Sequence, residues 1–453
     1  MVLLLEAYAN KAKFHDKPER SGDESGMVGS GGIVSWLRHD KGERRMIGRK
    51  VGDGKTSGLP SGIWVLGFIS MFMDISSELV LSLLPVFMTT VLGAGMISVG
   101  IVEGFAEAAA SMMKVFSGLW SDRMLRRKPL ALLGYGLSAL TKPLFPIAGS
   151  VGVLFFARFA DRVGKGIRGA PRDAMIAELV PEEVRGAAFG LRQALDSAGA
   201  FLGPLFALIL MQLFSNDIRR VLWAATIPAT LCIVLLVVGL REPSRPRVEL
   251  QSKERPSFRI DGFAMMPVSY WLVVLTGALF TMARFSDAFL LLKALRSGVP
   301  AGYVPLVMVV MNLVYSVVSY PSGLMSDRYG ARTQLAVGIA TLVCANLVLA
   351  AAGRPVMVMA GVILWGVHLG FTQGVLSKMV ADSAPPGMLA TGFGIFNLAL
   401  GIAVLLSSLL AGLLWQLLGS SYTFLAGALF ATLAGAGMLA TWRAGAGSVD
   451  PHP

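Results

Sequence analysis

Charged residues are scarce in this chain, and cysteine and histidine are nearly absent. Only 15% of the 453 residues are Asp, Glu, Lys or Arg, and there are two cysteines and four histidines. Cys232 and Cys344 both lie in apolar runs, without a Cys-x-x-Cys pair or a Cys/His cluster. We therefore expect neither a disulfide framework nor a metal site. The low charge content also argues against an ordinary soluble protein.

Apolar residues and glycine, in contrast, are abundant. Hydrophobic residues account for 54% of the chain, and there are 52 glycines. From Ile63 to Trp442 the sequence forms twelve apolar segments of about 20 residues, each long enough to cross a hydrocarbon core of about 30 Å. The sequence therefore predicts an all-α membrane protein, in which twelve transmembrane helices form two pseudo-symmetric six-helix halves.

These segments divide the chain into five regions. Residues 1–62 are polar, rich in Gly and Ser and mixed in charge, which predicts a disordered cytosolic tail. A later start of translation, at Met27 or Met46, is an alternative for this region. The remaining regions are the N-terminal half, the cytoplasmic link, the C-terminal half and a C-terminal tail: 63–240, 241–266, 267–443 and 444–453.

Most basic residues of the loops fall on the side of the N-terminal tail. The opposite loops are short and hold mainly Arg219, Arg220, Arg296 and Arg354. Because positively charged loops stay in the cytoplasm, we expect both termini to be cytoplasmic and the protein to lie in the cytoplasmic (inner) membrane. This distribution accounts for the formal net charge of +12 without a nucleic-acid partner, and none is expected.

The fourth apolar segment carries an unusual charged stripe. Its sequence RFADRVGKGIRGAPRD contains seven ionisable side chains: Arg158, Asp161, Arg162, Lys165, Arg168, Arg172 and Asp173. On a helix these fall within an arc of about 140°, opposite Phe159, Val163 and Ile167. Lipid does not solvate charge, so the stripe is expected to face protein or a water-filled cavity. We look for function in that cavity.

Other charged residues lie at a similar depth on neighbouring segments. At 1.5 Å per residue from Val151, Arg158 lies about 10 Å deep and Asp161 about 15 Å. We therefore assign proton coupling or the substrate cavity to eight residues: Asp74, Glu107, Arg158, Asp161, Arg162, Lys165, Arg192 and Asp196. Arg192 and Asp196 are one helical turn apart and are expected to pair. A structural ion pair between Asp161 and Arg162 is the alternative to a coupling role for these two residues.

The two halves repeat each other in sequence. GLWSDRMLRRKPL, which starts at Gly118, recurs as GLMSDRYGARTQL from Gly323, and RGAAFG at Arg185 is echoed by LATGFG at Leu389. Both pairs are separated by nearly the same number of residues. A shared offset indicates an internal repeat, which is typical of transporters whose site lies between two halves near the membrane midplane.

These motifs resemble those of the major facilitator superfamily. The Gly-x-x-x-Asp-Arg link occurs in both expected places, although Leu125 stands where the first link usually has a glycine. The fourth segment resembles a prokaryotic group with the pattern DRxGKGIRxxPRDA. In the fifth segment the family pattern Gly-x8-Gly-x3-Gly-Pro, associated with antiporters of the drug:proton type, is matched by Gly190, Gly199, Gly203 and Pro204. Ala207 and Leu208 replace the two glycines that end this pattern.

The resemblance implies a cytoplasmic gate. It would be formed by the two repeated links and by the inner end of the fourth segment, with Asp122 pairing with Arg168 or Arg172. The residues implied in this gate are Gly118, Asp122, Arg123, Arg168, Arg172, Asp173, Gly323, Asp327 and Arg328.

The sequence thus predicts a secondary transporter that works by alternating access. Proton-coupled export of a small organic solute is the leading interpretation, with protons or another ion as the coupling partner. Import or facilitated movement of an anionic metabolite or metal chelate remains open, because five cations and two acids lie on the fourth segment. A non-transporting membrane sensor is a further alternative. No cofactor is expected, an enzyme is excluded for want of a catalytic set, and the protein is expected to be a monomer in the lipid bilayer.

Overall fold

The computed structural model describes residues 59–124, 126–240, 266–372, 375–385 and 388–446. The predicted tail up to residue 58 and the link from 241 to 265 lie outside the described residues. The described residues form one compact unit. All regular secondary structure in the described ranges is helical, which agrees with the predicted class.

Six transmembrane helices form the first half. α1 carries a π-helical last turn, a short turn follows the main part of α3, and α6 is in two pieces. Their bounds are α1 Ser61–Val86 with Phe87–Val91, α2 Met96–Arg123, α3 Lys128–Thr141 with Leu144–Ile147, α4 Val151–Leu179, α5 Arg185–Leu213, and α6 Ile218–Ala224 with Thr226–Gly239.

The second half also has six transmembrane helices. α8 and α9 occupy the segment Leu306–Ala351 and are separated by a break at Gly330. There φ is 84°, a conformation that glycine adopts without strain. The other bounds are α7 Val268–Ala283 with Ala288–Arg296, α10 Pro355–Thr372 with Val375–Ser383, α11 Leu389–Leu417 and α12 Ser420–Ala446. The interruption of α7 falls at residues 284–287.

Hydropathy alone accounts for all but one of these helices. Eleven helices in the described ranges are long and apolar enough to cross a membrane. α4 is long enough, at 29 residues, but it carries the charged stripe. It is held inside the bundle because α2 and α3 pack against it. Its start is capped by Ser150, whose hydroxyl accepts a hydrogen bond from the backbone N–H of Val153.

The alternation of the helices defines two faces of the molecule. We call the face where α1 begins at Ser61 the N-terminal face, and the opposite one the distal face. The halves contact each other through α2 with α11, α5 with α8, and α1 with the second piece of α7. Four side-chain hydrogen bonds join the halves in the described part of the chain, and all lie between the midplane and the distal face: Gln416 to Ile97, Gln212 to Gly302, Ser286 to Glu103 and Asn312 to Ala200.

Candidate functional site

A cavity of about 280 Å³ lies between the two halves. Its wall is formed by α1, α2, α4 and α5 of the first half and by α8 of the second. The charged side chains on the wall are Lys114, Lys165, Arg168, Arg172, Arg192, Asp74, Glu78 and Asp196. α8 contributes only neutral polar groups to it, from Asn312, Tyr315 and Ser316. The cavity therefore lies at the interface between the repeats.

Two glycines on either side of Lys165 set the position of α4. A Cβ atom added at Gly164 would lie 2.6 Å from the carbonyl oxygen of Gly134 on α3. One added at Gly166 would lie 2.7 Å from the carbonyl oxygen of Ala110 on α2. α4 thus lies directly against the backbones of two neighbours, and the side chain of Lys165, between these contacts, lines the cavity.

The part of α4 nearest the distal face holds a buried network of ion pairs. The Arg158 guanidinium binds Glu103 through two hydrogen bonds, from Nε at 3.2 Å and from Nη2 at 2.9 Å. Glu107 lies 3.1 Å from Arg162 Nε and 3.7 Å from Arg158 Nη2. Glu103 also accepts a hydrogen bond of 3.3 Å from Ser286 in the break of α7. This network therefore reaches the second half.

Asp161 forms an ion pair with a lysine on another helix, and not with Arg162, the partner in the structural alternative. Asp161 Oδ1 lies 2.9 Å from Lys142 Nζ on α3, and Lys142 also donates to Ser77 at 3.0 Å. Lys142 and Asp161 are buried, with 0% and 3% of their side chains exposed. Arg162 faces Glu107 instead. Adjacent residues on a helix point about 100° apart, so consecutive charges do not meet.

A second ion-pair cluster lies nearer the N-terminal face and connects α1, α4 and α5. Arg168 lies 3.5 Å from Asp74 and donates to Ser138 at 2.9 Å. Arg172 donates to Ser70 at 2.6 Å and to Asp173 at 2.9 Å, and lies 3.7 Å from Asp196. Arg192 contacts Asp173 at 2.9 Å and Asp196 at 2.8 Å, which confirms the predicted pair of Arg192 with Asp196.

Three charged side chains on the cavity wall have no ion pair within 4 Å among the described residues. They are Glu78 on α1, Lys114 on α2 and Lys165 on α4. Glu78 is a near neighbour of Gly203, whose added Cβ would lie 2.8 Å from the Glu78 Cβ. These three are the wall charges free to respond to a ligand.

The residues implied in the gate are only partly described. The side chains of Asp122, Arg123 and Asp327 lie outside the described residues, so their pairing stays a prediction. Gly118 approaches Ala170 on α4, with a distance of 3.9 Å from its added Cβ. Of the other gate residues, Arg168, Arg172 and Asp173 belong to the second ion-pair cluster, whereas Gly323 and Arg328 are exposed.

The glycines of the antiporter-type pattern differ in their surroundings. Gly199 and Gly203 lie against α1, where an added Cβ would come within 2.8 Å of the carbonyl oxygens of Met71 and Ile75, respectively. Pro204 is buried beside them. Gly190 has no atom within 4 Å of its added Cβ. Only the end of the pattern nearer the distal face therefore serves close helix packing.

The second half contributes less charge to the interface. Its His368 is buried, and Nδ1 lies 2.9 Å from the carbonyl oxygen of Gly338 on α9, so it is a packed polar residue. Asp287 and Arg284 lie in the break of α7. Among the described residues there is no group of three or more His, Cys, Asp or Glu side chains that could hold a metal ion.

Four charged residues of the networks and the cavity wall are not among those assigned from the sequence. They are Lys114, Glu78, Glu103 and Lys142, although each interrupts an apolar segment. Depth along a helix alone does not distinguish residues that face the cavity from residues that face a neighbouring helix. The available signal was the cost of an isolated charge in a membrane, which applies to every charged residue of these segments.

The sequence model described as the Major Facilitator Superfamily matches residues 66–298 and 288–453. An uncharacterized MFS-type transporter of Methanocaldococcus jannaschii is 30% identical over 384 residues, which cover 83% of this chain and 94% of that protein. The multidrug resistance protein MdtH of Salmonella newport is 30% identical over 168 residues, which cover 37% of this chain and 39% of that protein.

Solved structures share the fold at low sequence identity. The nucleoside transporter NupG superposes with a TM-score of 0.67 at 14% identity, covering 84% of this chain and 99% of that chain. A likeness at this identity concerns the arrangement of the helices alone. It agrees with two six-helix halves that meet around a central cavity.

Proposed function

This chain belongs to the Major Facilitator Superfamily, and we propose that it exports a small organic solute from the cell in exchange for protons. Membership of the family makes it a multi-pass membrane protein and a secondary transporter of a small molecule, and not an enzyme. The observation that supports export in exchange for protons is the cavity wall, on which three carboxylates lie among five basic side chains.

Glu78, Asp74 and Asp196 are the carboxylates proposed to exchange protons. All three line the cavity, where water and solute reach them. Glu78 has no ion pair in the described part of the chain, so protonation removes no existing contact there. Asp161, Glu103 and Glu107 are held in ion pairs away from the wall, and we propose a structural role for them.

Protonation at the wall would change how the helices hold each other. Asp74 and Asp196 connect α4 to α1 and α5 through Arg168 and Arg172. A neutral carboxylic acid binds a guanidinium less strongly, so a proton on Asp196 weakens the connection between α4 and α5. If protons bind better in one orientation of the halves and the solute binds better in the other, the protein exchanges the solute for protons.

Export is favoured by two likenesses. The MdtH relative, named for multidrug resistance, matches over 37% of this chain. The fifth helix carries the glycine and proline pattern of antiporters, although it lacks the final two glycines. Within this proposal the N-terminal face is cytoplasmic, both termini are cytoplasmic, and the protein acts as a monomer in the inner membrane.

A second candidate function is import or facilitated movement of an anionic solute. The five basic side chains on the cavity wall outnumber the three carboxylates, which favours a negatively charged solute. Proton movement distinguishes the two functions, because a facilitator moves its solute without moving protons.

The test is proton movement in liposomes that contain the purified full chain. Tetraphenylphosphonium, glucose and succinate serve as cationic, neutral and anionic solutes. We expect one of them to drive proton flux that Glu78→Gln or Asp196→Asn abolishes. The control is Asp217→Asn on the distal surface, which should leave the flux unchanged. Solute flux without proton movement would replace exchange with facilitated transport, and proton flux that survives both cavity variants would reject these carboxylates.

A further inference from the structure

We propose that Lys114 and Lys165 form an anion subsite that binds a carboxylate or phosphate group of the transported solute. This inference rests on the proposed transport function and narrows its substrate class to small organic anions. Both lysines line the cavity, one from α2 and the other from α4. Their backbones lie close together, because a Cβ added at Gly166, next to Lys165, would lie 3.3 Å from the backbone nitrogen of Lys114.

In the described part of the chain, Lys114 and Lys165 differ from the neighbouring basic residues of the first half in their lack of an ion pair. Every other basic residue in the buried networks and on the wall has a carboxylate within 4 Å: Lys142, Arg158, Arg162, Arg168, Arg172 and Arg192. Lys114 and Lys165 have no such partner among the described residues. Glu107 lies near enough to act on both, but it lies closest to Arg162, at 3.1 Å.

Unmatched charges are costly inside a membrane protein. Two ammonium groups that repel each other raise the energy of the empty cavity, because neither has a carboxylate within 4 Å among the described residues to offset its desolvation. A structural role would leave this cost without compensation. A bound anion would neutralise the pair and accept hydrogen bonds from both groups. The lysines are therefore better explained by a ligand than by the fold.

The rest of the wall complements an anion. On the opposite side, α8 presents Asn312, Tyr315 and Ser316, and it carries no carboxylate there. The Asn312 amide donates to the carbonyl oxygen of Ala200, while the Tyr315 hydroxyl makes no hydrogen bond within the described residues. An anion between Lys165 and Tyr315 would contact both halves, as a transported solute must.

The size and depth of the cavity limit the solute. A volume of about 280 Å³ is near the lower end of ligand pockets, which start at about 300 Å³. α4 contacts α2 directly beside both lysines, so Lys114 and Lys165 lie at nearly the same depth. One carboxylate or phosphate group on a small solute can therefore lie between the two ammonium groups.

Thermal unfolding of the purified full chain tests the subsite. The protein is kept in a neutral detergent without anionic lipid, at constant ionic strength. The probes are succinate and inorganic phosphate, with neutral succinamide and cationic putrescine as matched controls. We expect an anion to raise the Tm, and neither control to do so.

Variants separate the lysines from general basic charge. Lys114→Gln and Lys165→Gln should each weaken the affinity for the anion about tenfold or more, whereas Lys165→Arg should retain it. Neither Gln variant should lower the Tm of the empty protein, because each removes an unmatched charge. Arg220→Gln, on the distal surface, should leave the anion effect unchanged.

Several results would overturn the subsite. Equal stabilisation of the wild type and of the double variant Lys114→Gln/Lys165→Gln would mean general charge screening. Stabilisation by putrescine instead of succinate would indicate a cationic substrate, and the absence of any anion effect would reject the subsite outright.

Proton flux in liposomes separates this inference from the proposed function. Proton-coupled flux of a neutral solute that survives in the double variant would reject the subsite alone. Anion binding without any solute-driven proton flux would reject proton exchange alone.

Discussion

At the scale of single residues, the pair of Lys142 and Asp161 is one of the two most deeply buried ion pairs in the described part of the first half. Its side chains are 0% and 3% exposed, and Nζ lies 2.9 Å from Oδ1. Removing one partner of such a pair leaves an isolated charge and costs about 3–5 kcal/mol, whereas replacing both with apolar residues costs far less. The pair is thus a test of whether Asp161 is structural.

We expect Lys142→Met alone to lower the free energy of unfolding by about 3–5 kcal/mol. The double variant Lys142→Met/Asp161→Leu should be less destabilised than the sum of its single variants, since neither member of the pair is left without its partner. Thermal or denaturant unfolding in detergent measures the cycle. Arg220→Gln is the matched control, because its pair with Asp217 is largely exposed and should contribute little. Additive effects of the two buried substitutions would mean that this pair is not coupled.

Residue pairing was the part of the site least accessible from sequence. Arg192 and Asp196 lie on one helix, and their spacing of four residues fixed their contact. Glu107 and Arg162 lie on different helices, so their contact depends on the rotation of α2 and α4 about their own axes. That rotation is set by the glycine contacts of α4, and those contacts involve backbone atoms of the neighbours.

At the scale of helices, the contact of α5 with α1 depends on a missing side chain. An added Cβ at Gly203 would lie 2.8 Å from both the Ile75 carbonyl oxygen and the Glu78 Cβ. Both are close to the backbone of α1 and have little freedom to move. The helices would therefore have to separate if this position carried any side chain.

We expect Gly203→Ala to lower the free energy of unfolding by about 1–3 kcal/mol through overpacking. Gly190→Ala on the same helix is the control. It meets no atom within 4 Å, and it should stabilise the helix by about 0.5–1 kcal/mol because alanine loses less conformational freedom than glycine. Opposite shifts of Tm in the two variants would support this packing. Equal shifts would contradict it.

Helix positions followed from hydropathy, but helix interruptions did not. The length of apolar runs predicts where a segment crosses the membrane, and the observed helices coincide with the apolar runs between Ile63 and Trp442. The break of α7 at residues 284–287 and the π-helical turn at Phe87–Val91 are absent from that pattern. Such breaks are local changes of backbone conformation that are stabilised by contacts with other helices, for example the hydrogen bond from Ser286 to Glu103.

At the scale of the whole molecule, the halves meet between the midplane and the distal face. Asn312 and Gln212 close this side through hydrogen bonds of 2.8 Å to Ala200 and 3.3 Å to Gly302. The closure lies between the cavity and the distal face. The N-terminal face is therefore the expected route for a solute into the cavity.

We expect a cysteine at Ser197, which lines the cavity, to react with an impermeant maleimide from the N-terminal face only. The background for this measurement is Cys232→Ser/Cys344→Ser. Sealed vesicles of the two orientations give the labelling from each side. The controls are Glu182→Cys and Arg220→Cys, two exposed positions on the N-terminal and distal faces. Faster labelling of Ser197→Cys from the distal face would contradict the observed closure.

The unmatched charges of the cavity have an electrical consequence. Two lysines and one glutamate on its wall lack ion pairs within the described part of the chain. Their charges leave the cavity without a solute at one net positive charge, and a cavity that holds a monoanion at none. A full elementary charge that crosses 100 mV changes its energy by about 2.3 kcal/mol. Reorientation without the anion therefore moves charge through the membrane field, while reorientation with the monoanion bound moves none. The membrane voltage would then act on the return step, in which the protein carries protons instead of the anion, and leave the passage of the solute unaffected.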